Sequence, residues 1–145
     1  MTKRLRVLSA IIAAVAAPVF AAPAAMADST EVTPMHHWGS CSHDGFTNDV
    51  GARCTKLSNG TVYVRKTSYP TVTAQYYKSG GSNIYARVGF EQGGKNTWDG
   101  YQTMSTGGHY TASWGPKEGV GCTPVIGKLH VQNGTTYPTP SMSMC

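Results

Sequence analysis

The chain has 145 residues, with 12 Lys+Arg against 7 Asp+Glu, a formal charge of +5. Three of those bases, Lys3, Arg4 and Arg6, lie in the first six residues, so a chain beginning at Asp28 carries nine against seven. That near-neutral balance, with Arg65-Lys66 as its single adjacent basic pair, excludes the electrostatic footprint of a nucleic-acid binder.

Residues 1–27 read as a secretory signal peptide. The three bases form its n-region, Val7 to Phe20 is an uncharged apolar run, and Ala25-Met26-Ala27 is a small-x-small cleavage site. The run is shorter than the ~20 residues a spanning helix needs, and Pro18 and Pro23 interrupt its end. Cleavage after Ala27 and a secreted, extracellular protein are therefore expected, with no stable membrane anchor. The Ala-rich composition resembles export signals of high-GC Gram-positive bacteria.

The 118 residues after Ala27 suit one domain. Residues 28–40 show no apolar period and are expected to form a flexible lead-in to a single domain over 41–145. Leu57, Leu129, Ile84 and Ile126 are its whole stock of Leu and Ile, whereas Val, Thr and Tyr are plentiful. Those residues suit pleated strands, and glycines punctuate the chain, so the fold class is all-β.

Cys41, Cys54, Cys122 and Cys145 make an even set in a short exported chain, which reads as two disulfides. Cys41–Cys54 and Cys122–Cys145 are the favoured pairs because each closes a local loop. A four-thiolate metal site would want Cys-x-x-Cys spacing, which is lacking. Residues 41–60, rich in Gly, Asn, Asp and Ser, read as a loop or short irregular hairpin, followed by a strand at 61–67.

Gly-Gly pairs at 80–81, 93–94 and 107–108 separate runs that alternate apolar and polar. This predicts a four-stranded antiparallel meander at about 71–115, with strands near 71–79, 83–92, 96–106 and 110–115. Three-residue loops at each pair best match apolar positions, for example Val72 against Phe90 and Phe90 against Trp98. The predicted buried face is Val72, Ala74, Tyr76, Ile84, Ala86, Val88, Phe90, Trp98, Met104, Tyr110, Ala112 and Trp114. Strand 61–67, segments of 122–137, or both would cover it, giving a small disulfide-stapled β-sandwich, with an open β-barrel as the alternative.

The opposite face is the candidate binding surface: Tyr77, Tyr85, Arg87 and Tyr101, with Gln75 and Asp99 nearby. Tyrosine rings present apolar area with a polar edge, which suits a sugar chain or a protein partner. His36, His37, His43 and Asp44 offer imidazole and carboxylate ligands, but nothing in the spacing positions a second shell, and no metal or other cofactor is expected.

The sequence has no Gly-x-Ser-x-Gly elbow and no His-Glu-x-x-His, and paired cysteines leave no thiolate nucleophile. The best acid–base set is Glu91 with His109 and Arg87, beside Tyr101. Thr106 to Trp114, around His109, is similar to the segment bearing the catalytic His of small secreted guanyl-specific ribonucleases, which use a Glu base and a His acid. The chain departs from that family in lacking its upstream His-Glu-Tyr strand and paired downstream arginines. Its general plan also resembles small secreted α-amylase inhibitors, all-β with two disulfides and a C-terminal cysteine, although their inhibitory Trp-Arg-Tyr triplet is absent. The leading expectation is a non-enzymatic binding protein for an extracellular polysaccharide, cell-envelope component or secreted protein, including an enzyme it inhibits. A ribonuclease-type hydrolase and an antimicrobial protein are the alternatives.

Overall fold

A computed structural model describes residues 39–145. The expected signal peptide, His36, His37, Trp38 and most of the expected lead-in lie outside the described residues. Nine strands are described: β1 (Ala52–Leu57), β2 (Gly60–Ser68), β3 (Thr71–Lys78), β4 (Ile84–Gln92), β5 (Lys95–Trp98), β6 (Gln102–Met104), β7 (His109–Trp114), β8 (Val125–Val131) and β9 (Thr136–Pro138). One 3-10 turn spans Pro116–Glu118. No helix among the described residues is long and apolar enough to cross a membrane.

The strands form two antiparallel sheets, packed as a sandwich with no closed barrel. The first has the order β1-β2-β3-β7, and the second β5-β4-β8-β9, with β6 following β5 along the same edge of β4. Alternation along each strand sends one set of side chains inward. Val62, Val64, Val72, Ala74 and Tyr76 from the first sheet meet Ala86, Val88, Phe90, Met104, Val125 and Leu129 from the second. Phe90 and Trp114 meet across the interior with ring centroids 5.2 Å apart. Full burial of a side chain such as Phe90 or Leu129 stabilises the fold by about 1.5–3 kcal/mol, so a few aromatics compensate for the scarcity of Leu and Ile.

Both disulfides have the expected pairing, Cys41–Cys54 and Cys122–Cys145. The first pins residues 41–51 over the outer face of β1, burying Ala52 and Cys54 there. This is why β1 lacks a legible alternation: its buried residues face away from the main core. Residues 52–57 are consequently a full strand of a tight hairpin, with Leu57 opposite Gly60.

The predicted meander needs correction. Three of its strands keep their positions while the third divides into β5 and β6, and its inward faces hold except at Trp98, but the four strands do not pair in succession. β3 pairs with β2 and β7, while β4 pairs with β5, β6 and β8. The segments around Gly80-Gly81 and Gly107-Gly108 are therefore crossovers between sheets. The carbonyl of Asn59, in the β1–β2 turn, accepts bonds from the Ser79 and Gly80 amides at 2.9 and 3.3 Å, drawing the chain away from a hairpin. Lys78 interlocks the two crossovers. Its amide donates to Gly108, its carbonyl accepts from Gly107, and its fully buried ammonium donates to the carbonyls of Gly80 and Gly81. Inward parity survives because facing strands of a sandwich and paired strands of one sheet both place apolar positions on a common interior.

Candidate binding face

The outer face of the second sheet is built around β4, whose sequence Tyr85-Ala86-Arg87-Val88-Gly89-Phe90-Glu91 alternates strictly. Ala86, Val88 and Phe90 point inward, so Tyr85, Arg87, Gly89 and Glu91 point outward. Next to it, the chain turns at Gly93-Gly94 in two residues, with Gln92 opposite Lys95. Both glycines have positive φ, +57° and +79°, as a two-residue hairpin turn of the primed type requires. The predicted three-residue loop is thus one residue too long. Phe90 opposes Thr97, Gly89 opposes Trp98, and Trp98 faces out rather than into the core.

The register then shifts back. Between the pairs Gly89–Trp98 and Ala86–Gln102, β4 contributes Arg87 and Val88 while the partner contributes Asp99, Gly100 and Tyr101. This one-residue bulge sets Ile84 opposite Met104 and Tyr85 opposite Thr103, the register that a three-residue loop at Gly93 would also give. It also places two outward aromatics, Trp98 and Tyr101, on either side of Arg87. The Arg87 guanidinium carbon is 4.8 Å from the Trp98 ring centroid and 4.5 Å from that of Tyr101, both within cation–π range.

β8 completes the cluster. His130 stands opposite Arg87, with its ring centroid 5.5 Å from Trp98 and 5.9 Å from Tyr101. Its Nδ1 is 2.9 Å from the Thr136 hydroxyl on β9, which fixes the ring orientation. On the far side of Tyr101, Tyr85 stacks at 5.5 Å and 19° and is 45% exposed. Trp98 lies over Gly89, where a Cβ would come within 2.4 Å of the indole. Lys128 pairs with Glu91 and donates to Asn96 Oδ1 at 2.8 Å, so that cation is neutralised within the face.

Of the residues expected to form the binding surface, Tyr85, Arg87 and Tyr101 come together, and Asp99 lies in the bulge beside them, its amide bonded to the Val88 carbonyl at 3.0 Å. Tyr77 and Gln75 do not join them. Both lie on β3 in the first sheet, where Tyr77 stacks on His109 at 4.6 Å and Gln75, 4% exposed, approaches the same imidazole at 3.5 Å. Trp98 and His130 complete the cluster and were not expected there. The Trp98 position was legible in principle, since Gly-Gly favours the two-residue turn. His130 carried no local signal because β4 and β8 are far apart in sequence.

Glu91 and His109 belong to different sheets, each on the outer side, so the acid–base set does not converge on one substrate. Near the first disulfide, Ser42 Oγ donates to Asp44, and this bond is the main cause holding the Asp44 carboxyl below its ordinary pKa. No group of three or more His, Cys, Asp or Glu among the described residues is placed to hold a metal ion. No protein-family model matches the chain, and no curated protein or solved structure matches it.

Proposed function

We propose that this chain is a secreted, non-enzymatic binding protein that recognises an extracellular ligand, foremost a polysaccharide of the cell envelope or surroundings, through the outer face of its second sheet. One observation carries the reading: Trp98, Arg87, Tyr101 and Tyr85 form a contiguous strip on that face, with Tyr85 open to solvent. Flat aromatic area with polar edges is suited to stacking against sugar rings, and strands hold its backbone in place, which lowers the entropic cost of ordering on binding. Export is supported by the N-terminal pattern and by two formed disulfides, which persist in oxidising compartments.

Pull-down of the purified protein on chitin, cellulose and peptidoglycan tests this reading. A Tyr85→Ala/Tyr101→Ala variant is expected to lose retention, and Tyr77→Ala, on the other sheet, to keep it. Equal retention by the double variant and the parent protein would rule out the face.

A second reading has one observation in its favour. Although no Trp-Arg-Tyr triplet stands in the sequence, the fold gathers Trp98, Arg87 and Tyr101 from separate segments. The α-amylase inhibitors that the chain resembles in general plan use those residue types, so inhibition of an α-amylase, relieved by Tyr101→Ala, would favour an inhibitor.

A further inference from the structure

Resting on the proposal that this face is a ligand site, we infer that its ligand is an acidic glycan. Arg87 holds a uronate carboxylate, and Tyr85 with Tyr101 carries an adjoining sugar ring. The charge arrangement points this way. Lys128 is closed by Glu91 and Asn96, whereas Arg87 has no carboxylate within ion-pair reach among the described residues. Asp99, the nearest acid in sequence on this edge, lies in the bulge and likewise makes no ion pair among them.

The guanidinium is also oriented. Rings of Trp98 and Tyr101 lie within cation–π distance of it, and its Nε is buried without a hydrogen-bond acceptor. The terminal nitrogens have no protein acceptor among the described residues either, and they are not among its buried atoms. A cation so held keeps its remaining capacity at its edge, in the plane where an arginine fork matches two carboxylate oxygens. A neutral hydroxyl could accept one such bond, but a charge-assisted pair is roughly twice as strong, and it compensates a positive charge that the protein leaves open.

The sugar side of the argument comes from Tyr85 and Tyr101. Their rings are nearly parallel and adjacent to Arg87, giving a flat platform beside the cation rather than a deep socket for one side chain. An extended chain with carboxylates recurring along sugar rings satisfies both features at once.

The test compares two polymers with one backbone: polygalacturonate, and its methyl ester, in which the carboxylates are masked. Isothermal calorimetry is expected to show binding of polygalacturonate and at least about tenfold weaker binding of the ester. Arg87→Gln is expected to bring polygalacturonate binding down to the level of the ester. Arg87→Lys, which keeps the charge but not the planar fork, is expected to fall between, and the ester comparison stands even if either variant fails to fold. Equal binding of the two polymers, unchanged binding by folded Arg87→Gln, or binding of neither polymer overturns the inference. In each of those cases, Tyr85- and Tyr101-dependent retention on chitin or cellulose would leave the binding-face proposal intact. Capture of a secreted protein by this face, with neither polymer bound, would overturn the glycan assignment as well.

Discussion

Tyr76 shows how a single residue can tie the interior to a turn. Its ring is fully buried, and its hydroxyl donates to the Asn59 carbonyl and side chain at 3.2 and 3.3 Å. Burial, reinforced by nearby Tyr137, pushes its phenol up from 10.0 to about 12. The sign of the pH effect follows from linkage. Below pH 10 the phenol is protonated in both states, and its contribution is fully present. Between pH 10 and about 12 the unfolded chain loses the proton first, so stability falls on the order of 1 kcal/mol per pH unit. Denaturant melts across that window are expected to show this slope, and Tyr76→Phe is expected to flatten it. The same variant should cost about 0.5–1.5 kcal/mol at neutral pH through the lost hydrogen bonds. Lys78, further along β3, ties the interior to a turn in a similar way, with backbone carbonyls rather than a carboxylate receiving its buried ammonium.

At the scale of the element, the Gly93-Gly94 turn and the bulge at Asp99–Tyr101 act together. The turn rotates Trp98 outward, and the bulge returns Met104 to the core while leaving Tyr101 outward. Without the pair of shifts, Trp98 would compete with Phe90 for interior volume and Arg87 would lose one of its flanking rings. Gly89 makes the arrangement possible because the indole and the Thr97 carbonyl occupy the space of its missing side chain. Gly89→Ala is therefore expected to displace Trp98 and cost about 1–3 kcal/mol, the usual range for overpacking. Thermal unfolding reads the stability loss, and tryptophan fluorescence reads the altered setting of the indole. Unchanged fluorescence and melting would contradict the close approach.

For the whole molecule, two disulfides secure what the small core alone holds less firmly. Cys41–Cys54 fixes a cover over one outer face, whereas Cys122–Cys145 returns the C-terminus toward β8, beside the buried Met142 and Met144. Met142 and Val125 exchange backbone hydrogen bonds at 2.8 and 2.9 Å, so the second disulfide supports an added bridge on the sandwich. Replacing Cys122 and Cys145 with Ser is expected to lower stability by about 3 kcal/mol, on the loop-closure estimate. Protease nicking is expected to begin in the released terminus, and mass spectrometry of early fragments checks where it starts.

Apart from β1 and the outward turn of Trp98, strand positions, inward parity and the disulfide partners were legible because each depends on local alternation, turn residues or short loop closure. Val72, Ala74, Tyr76, Ala86, Val88, Phe90 and Met104 are buried as their alternation requires. Strand partnership was not local. A five-residue connection such as 79–83 can close a hairpin or cross between sheets, and here the Asn59 carbonyl and Lys78 side chain select the crossing. That selection separates Tyr77 and Gln75 from Tyr85 and Arg87, which alternation alone had placed on one face. Likewise, β8 brings His130 opposite Arg87 through pairing between distant segments. The sequence by itself determined most of the strands and, up to Phe90, which sides of β3 and β4 are apolar, since period-two patterning carries that information. Tertiary structure decided which outward residues meet, because hydrogen bonds remote in sequence set the pairing and a one-residue shift exchanges the faces.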